Sequence, residues 1–220
     1  QQMTDAAESL ATKIPSNRQS AYFQLVLHPV LATANMTRLN IALGKNRLYA
    51  QQGRATANRF GTLAKEFFNY DKNLQERFDR NSNGKWRHFM DQSHIGYTNW
   101  NHPEADQLPA LAEYNPGDYA EMGIGLEGVA TAWPAPGRFE LRFDANGQTQ
   151  RGFTLFNRGT RPYEFTITAS DWLRLSQTQG SVVSETQILA SIDWAKLPEG
   201  TTQGQIMVKG TGWQGAKIII

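Results

Sequence analysis

Three of the four histidines of this chain, His88, His94 and His102, fall within residues 84–103, interleaved with Trp86, Asp91, Tyr97 and Trp100. Imidazoles and carboxylates at that density can relay protons, ligate a metal or hold one another by hydrogen bonds. Flat rings with polar tips suit a sugar, which offers apolar C–H faces and a rim of hydroxyls. Spacing decides between these uses only in part. His88, Asp91 and His94 are three apart, which splays them around a helix, whereas a metal site asks for a tighter H-x-x-x-H pair with a carboxylate and its own supporting shell. No metal is expected, and the polar groups read instead as the hydrogen bonds that hold an irregular segment in place. Asp91, Glu104 and Asp106 are the carboxylates on hand for acid–base work, with no spacing that marks a glycosidase pair.

Residues 84–103 follow neither the helical nor the strand period. With its flanks the segment makes a connection over 83–135, far longer than the roughly 12 to 15 residues usual for structureless loops. Fixing such backbone costs about 1 to 2 kcal/mol per residue, so it persists only by packing or by lining a site. The elements on either side must position it. Met3, Ala7, Leu10 and Ile14 give one apolar face to a first helix that Pro15 stops, and Ser16 with Gln19 forms a capping box opening a second. Tyr22, Leu25, Val26, Val30, Met36, Leu39 and Leu43 continue its stripe, with Pro29 imposing a kink. Ala57, Phe60, Ala64 and Phe67 face a third helix, and Asp71 caps a short fourth carrying Leu74 and Phe78. Residues 1–82 therefore read as an antiparallel helical bundle.

Beyond 135 the pattern changes to alternation. Phe139, Leu141 and Phe143, then Tyr163, Phe165 and Ile167, then Ile188, Ala190 and Ile192, then Ile206 and Val208 each alternate with polar residues, with turns at 144–147, 159–162, 179–180 and 198–200. About seven short strands at this spacing predict an immunoglobulin-like β-sandwich over 136–220, making the chain multi-domain, α then β. Gly123, Gly125 and Gly128 match a dinucleotide fingerprint, but no helix pattern follows them, so they read as a flexible lead into the sandwich.

Composition excludes several classes. Among 220 residues, 40% are hydrophobic, enough for real cores and too many for a disordered tail. The net charge of +2, from 22 basic and 20 acidic residues, argues against nucleic acid or an anionic membrane as a partner. Arg47, Arg54 and Arg59 beside Tyr49 read as a solvated helix face. The absence of cysteine excludes disulfides and thiolate zinc. Neither a membrane-length apolar run nor a signal peptide is visible, and both ends read as those of a fragment of a longer protein, since Ile218, Ile219 and Ile220 form a strand-like run at a bare terminus.

Three stretches together resemble the C-terminal half of glycoside hydrolase family 115. They are Tyr22-Phe23-Gln24-Leu25-Val26-Leu27-His28-Pro29-Val30, Lys45-Asn46-Arg47-Leu48-Tyr49-Ala50-Gln51-Gln52-Gly53-Arg54, and residues 84–103, where Lys85-Trp86 and His94-Ile95-Gly96-Tyr97-Thr98 are the most specific pieces. Phe89 departs from the Met of that pattern. The resemblance implies a xylan α-1,2-glucuronidase, which removes glucuronic acid or its 4-O-methyl ether from xylan. It further implies an upstream catalytic barrel in the same protein, with the catalytic carboxylates outside this chain, and a periplasmic or secreted location. On that basis Tyr97, Trp100, His94 and Trp86 are the expected substrate-binding residues, glucuronoxylan or a glucuronic-acid-decorated xylo-oligosaccharide is the expected partner, and no cofactor is implied. The alternatives are a non-catalytic xylan-binding module and a dimerisation platform forming a homodimer.

Overall fold

A computed structural model describes residues 1–97, 103–201, 203–211 and 215–220. It forms a helical region followed by two antiparallel sheets, and contacts divide it into two compact units, one of residues 1–46 with 59–112 and the other of 47–58 with 113–220.

The helical unit begins with α1 (Gln2–Ala11) and α2 (Ser16–Tyr22). Ser16 does not cap α2; Pro15 holds the cap position with extended backbone, and the Gln19 side chain donates instead to the Ile14 carbonyl at 3.2 Å. One wide turn, Phe23–Leu27, precedes α3 (His28–Gln52), with the His28 N–H bonded five residues back to the Phe23 carbonyl. Pro29 explains it. Its ring lacks a donor and crowds the carbonyl four residues earlier, and widening the preceding turn accommodates both defects without breaking the helix. Helix α4 (Ala57–Arg80) is continuous, so Asp71 sits within it and caps nothing. The apolar stripe of Phe67, Leu74 and Phe78 runs past Asp71 and outweighs its weak helix preference. Two small cores result. Ala7, Phe23, Leu27, Leu31, Leu74 and Phe78 form one, and Leu39, Ala42, Leu43, Ala64 and Ile95 the other.

In the second unit, β1 (Met122–Leu126), β2 (Ala132–Trp133), β3 (Gln150–Asn157), β5 (Leu173–Leu175) and β7 (Glu185–Ile192) make one sheet in the order β2-β1-β3-β7-β5. The other is β6-β4-β8-β9, from β4 (Tyr163–Ala169), β6 (Gln179–Val182), β8 (Gln205–Lys209) and β9 (Ala216–Ile219). Alternation works as expected in β4, where Tyr163, Phe165 and Ile167 are buried and Glu164, Thr166 and Thr168 exposed. Met122, Ile124, Phe153 and Leu155 from one sheet share a single core with Phe165, Ile167, Ile206 and Val208 from the other. Two local expectations fail. Residues 139–141 form no regular strand and only bridge β9, Ile219 donating to the Phe139 carbonyl and Leu141 to the Ile219 carbonyl, while residues 179–180 open β6 rather than a turn.

The glycines of 123–128 are not a flexible lead. Strand β1 is buried throughout, and a Cβ on Gly123 would meet the Phe156 ring at 2.2 Å, one on Gly125 the Arg54 guanidinium at 2.3 Å. Arg54 is buried, not on a solvated face. Its guanidinium lies 4.1 Å and 4.4 Å from the Tyr49 and Phe156 ring centroids and donates to Gln52 and Glu185, the partners a buried cation requires.

Candidate functional site

Helix α3, helix α4 and the segment after it enclose a cavity of about 720 Å³ in the helical unit. Ala32, Met36, Leu74, Phe89, Met90 and Tyr97 supply its apolar wall, and His28, Asp71, Gln75, Ser93 and His94 its polar one. Mixed walls of this kind hold a small polar molecule by stacking on one side and hydrogen bonding on the other.

The polar wall is built around His94. Its Nε2 lies 2.9 Å from Asp71 Oδ2, while its Nδ1 faces the Gln92 carbonyl at 3.1 Å and Asp106 Oδ1 at 3.6 Å. Asp106 Oδ1 also accepts the backbone N–H groups of His94 and Ile95 at 2.6 Å and 2.7 Å, so one carboxylate fixes both the ring and the backbone that carries it. Gln75 Nε2 reaches Asp106 Oδ2 at 3.3 Å. Burial pushes the Asp71 carboxyl above its ordinary value, with the Asp106 charge adding to the rise and His94 opposing it. For His94 burial acts downward, but the Gln92 carbonyl and the two carboxylates prevail and hold the imidazolium to higher pH. Asp106 is also pushed up by burial, yet the Ile95 and His94 N–H groups outweigh this and leave it below the ordinary carboxylate range. His28, beside Asp71, is held low by its burial.

This is a clamp rather than a proton-transfer pair. Both ring nitrogens of His94 are engaged, so neither is free to take a proton from a bound molecule. Asp71, His94 and Asp106 bring potential ligand atoms within 4.8 Å of one another, as do Asp79, His88 and Asp91. In the first set the carboxylates approach different ring nitrogens, and a cation would have to displace hydrogen bonds already made.

The structure brings two of the expected residues to the cavity, His94 and Tyr97, the latter 52% exposed. Trp86 does not line it but packs edge-on against Phe89, which does. Trp100 lies outside the described residues. His88 and Asp91 pair with each other at 2.7 Å and leave His94 to Asp71. Sequence reasoning missed His28 and the role of Asp71. A carboxylate interrupting the apolar stripe of α4 was the one signal pointing to it, because a helix-interior aspartate on a packed face needs a partner.

No family model matches the chain, and no curated protein matches it in sequence. Solved structures similar over part of it include the periplasmic chaperone SfaE, at 12% identity and TM-score 0.30 over 37% of this chain and 49% of that one. A second is WR4, a C. elegans MSP family member, at 10% identity and TM-score 0.25 over 32% of this chain and 78% of that one. A third is the FixG-related protein from Vibrio parahaemolyticus, at 12% and 0.28 over 47% and 94%. The chain spans about half the length of the first of these. Likenesses this weak assign no function.

Proposed function

We propose that this chain is the helical and sandwich portion of a xylan α-1,2-glucuronidase, and that its cavity receives the (4-O-methyl-)glucuronic acid branch of glucuronoxylan. The catalytic carboxylates belong to an upstream barrel of the same protein, the sandwich is immunoglobulin-like, and the protein works in the periplasm or outside the cell. One observation carries the reading. A cavity of about 720 Å³ is lined by the exposed ring of Tyr97 together with the polar side chains of His94, Asp71 and Gln75, a combination that suits a single sugar ring.

In this reading His94 positions rather than reacts. Held by Asp71 and Asp106, it fixes the backbone of 92–97 so that the Tyr97 hydroxyl meets the sugar in one orientation, which spares the complex part of its ordering cost. Its positive charge offsets one of the two carboxylates, easing the approach of an anionic uronate. Trp86 contributes through Phe89, a wall residue against which it packs edge-on.

The test is uronic acid release from glucuronoxylan by the whole protein. Tyr97→Phe is expected to lower turnover with the circular dichroism spectrum unchanged; equal kinetics for the two proteins removes Tyr97 from the site. A second reading, self-association, draws on Met3 and Ile41, exposed beside an apolar groove of about 580 Å³ that Pro29 and Val30 also line. Sedimentation at several concentrations decides it, since only that reading expects a dimer.

A further inference from the structure

Two exposed asparagines of this chain are followed by glycine, Asn83 in the turn after α4 and Asn146 in the turn before β3. Such a pair can cyclise, because the next residue has no side chain to hinder attack of its amide nitrogen on the asparagine Cγ. The fold treats the two pairs differently. At Asn146, Asp144 crowds the reacting groups: its Oδ1 accepts the Asn146 N–H at 2.9 Å, its carbonyl accepts the Gly147 N–H at 3.2 Å, and a Cβ on Gly147 would meet its side chain at 3.3 Å. A carboxylate in that place opposes ionisation of the amide nitrogen, which the attack requires. At Asn83 there is room. A Cβ on Gly84 would meet nothing outside its own turn nearer than the Asp79 carbonyl at 3.9 Å. The Asp79 carboxylate accepts the His88 N–H, and Arg80, Lys85 and Arg87 flank the pair in sequence. The backbone is strained as well, since Ser82, Asn83 and Gly84 take φ 54°, 54° and 79°, a left-handed run that only the glycine adopts freely.

We infer that Asn83 is a site of spontaneous deamidation, and that its isoaspartyl product loosens the segment following α4. The Gly84 nitrogen gives its proton to solvent and bonds to Asn83 Cγ; the Cγ–Nδ2 bond breaks, and the leaving nitrogen takes a proton from water and departs as ammonia. Water then opens the cyclic imide. Attack at one carbonyl yields aspartate at position 83, and attack at the other yields isoaspartate, whose main chain runs through Cβ and is one carbon longer. That carbon removes the need for a left-handed run. Phe89 and Met90, which line the cavity, lie on the chain just beyond it. The inference holds whatever fills the cavity.

The whole chain is incubated at mildly alkaline pH, folded and in urea, then digested with trypsin, which cuts after Arg80 and Lys85 around one pair and after Arg142 and Arg151 around the other. Peptide masses are expected to show residue 83 converting about 5-fold faster than residue 146 in the folded chain, the weight of one unit charge about 4 Å away in water, with the two rates drawing together in urea. Equal folded rates, or a faster residue 146, overturn the assignment, as does a difference that urea leaves intact. Amide exchange over 85–92 is expected to be faster in the aged chain than in fresh protein or in fresh Asn83→Asp, which gains the charge without the extra carbon. Unchanged exchange in an aged chain rich in isoaspartate overturns the loosening.

Discussion

The two units of this chain divide their apolar residues differently. The sheet unit packs two inner faces into one apolar core, in which Phe153, Leu155, Ile188, Ile206 and Val208 are at most 1% exposed. The helical unit splits its apolar residues between two smaller clusters and buries polar groups as well, among them His28, Asn35 and Asp71. Asn35 keeps a buried Oδ1 without a hydrogen-bond partner while its Nδ2 donates to the Phe67 carbonyl, and the sheet unit likewise keeps the buried Nε of Arg151 and of Arg158 without one. A continuous apolar core is the stable arrangement, because each buried polar group must recover what it loses on leaving water. The sheet unit buries polar groups too, Arg54 and Asn157 among them, so the units differ in whether the apolar core is continuous and not in whether polar groups are buried.

That contrast is open to direct attack. Phe153→Ala is expected to have the largest effect, about 3 to 5 kcal/mol from lost burial and the cavity left behind, read as a fall in the urea midpoint of the sheet unit. A loss under about 1 kcal/mol means that the sheets do not depend on one shared core. Next comes Gly123→Ala, which sets a methyl group against the Phe156 ring and is expected to cost about 1 to 3 kcal/mol. Asp71→Ala is expected to cost roughly 1 to 3 kcal/mol, seen as faster amide exchange in α3 and α4 with the strands unaffected; equal acceleration in the strands erases the distinction between the units.

The pH response is smaller and sharper. His94 is held above its ordinary value of 6.5, so its stabilisation is complete below that pH and is lost as pH rises through the folded-state value. Asp71, also raised, shares that sign in the acid range, and its contribution falls as pH climbs from 3.8. Asp106 has the opposite sign, since its lowered value stabilises above 3.8 and is lost as pH falls through the folded-state value. Protection against amide exchange in the helical unit, taken relative to the intrinsic exchange rate, should fall as pH rises above 6.5, and His94→Gln should flatten that response. An unaltered profile in the variant assigns the titration elsewhere. The smallest effect on folding is expected from Tyr97→Phe, within about 0.5 kcal/mol, because its ring is half in water.

Legibility in the sequence followed periodicity. Tyr163, Phe165 and Ile167 declared a strand, and Ala57, Ala64 and Phe67 a helix, because each element has one wet and one dry side and the pattern repeats within a few residues. Residues 139–143 alternate equally well and still make no regular strand, since pairing requires a partner edge and only a bridge to Ile219 is present there. At the site, the crowding of polar and aromatic residues in 84–103 was visible, and so was its irregular backbone. The partners of His94 were not. Asp71 lies 23 residues before it and Asp106 twelve after it, and nothing in local spacing joins them.

By itself the sequence determined that a helical region precedes a region of strands and that no disulfide can form within the chain, because composition and short-range periodicity carry that information along the chain. Tertiary structure alone decided that Asp71 and Asp106 hold His94, that Arg54 is buried between aromatic rings, and that Gly123 and Gly125 make room for Phe156 and Arg54. Each of these is a contact between residues distant in sequence, fixed when packed elements meet and charged groups leaving water must find partners in whatever surface is opposite.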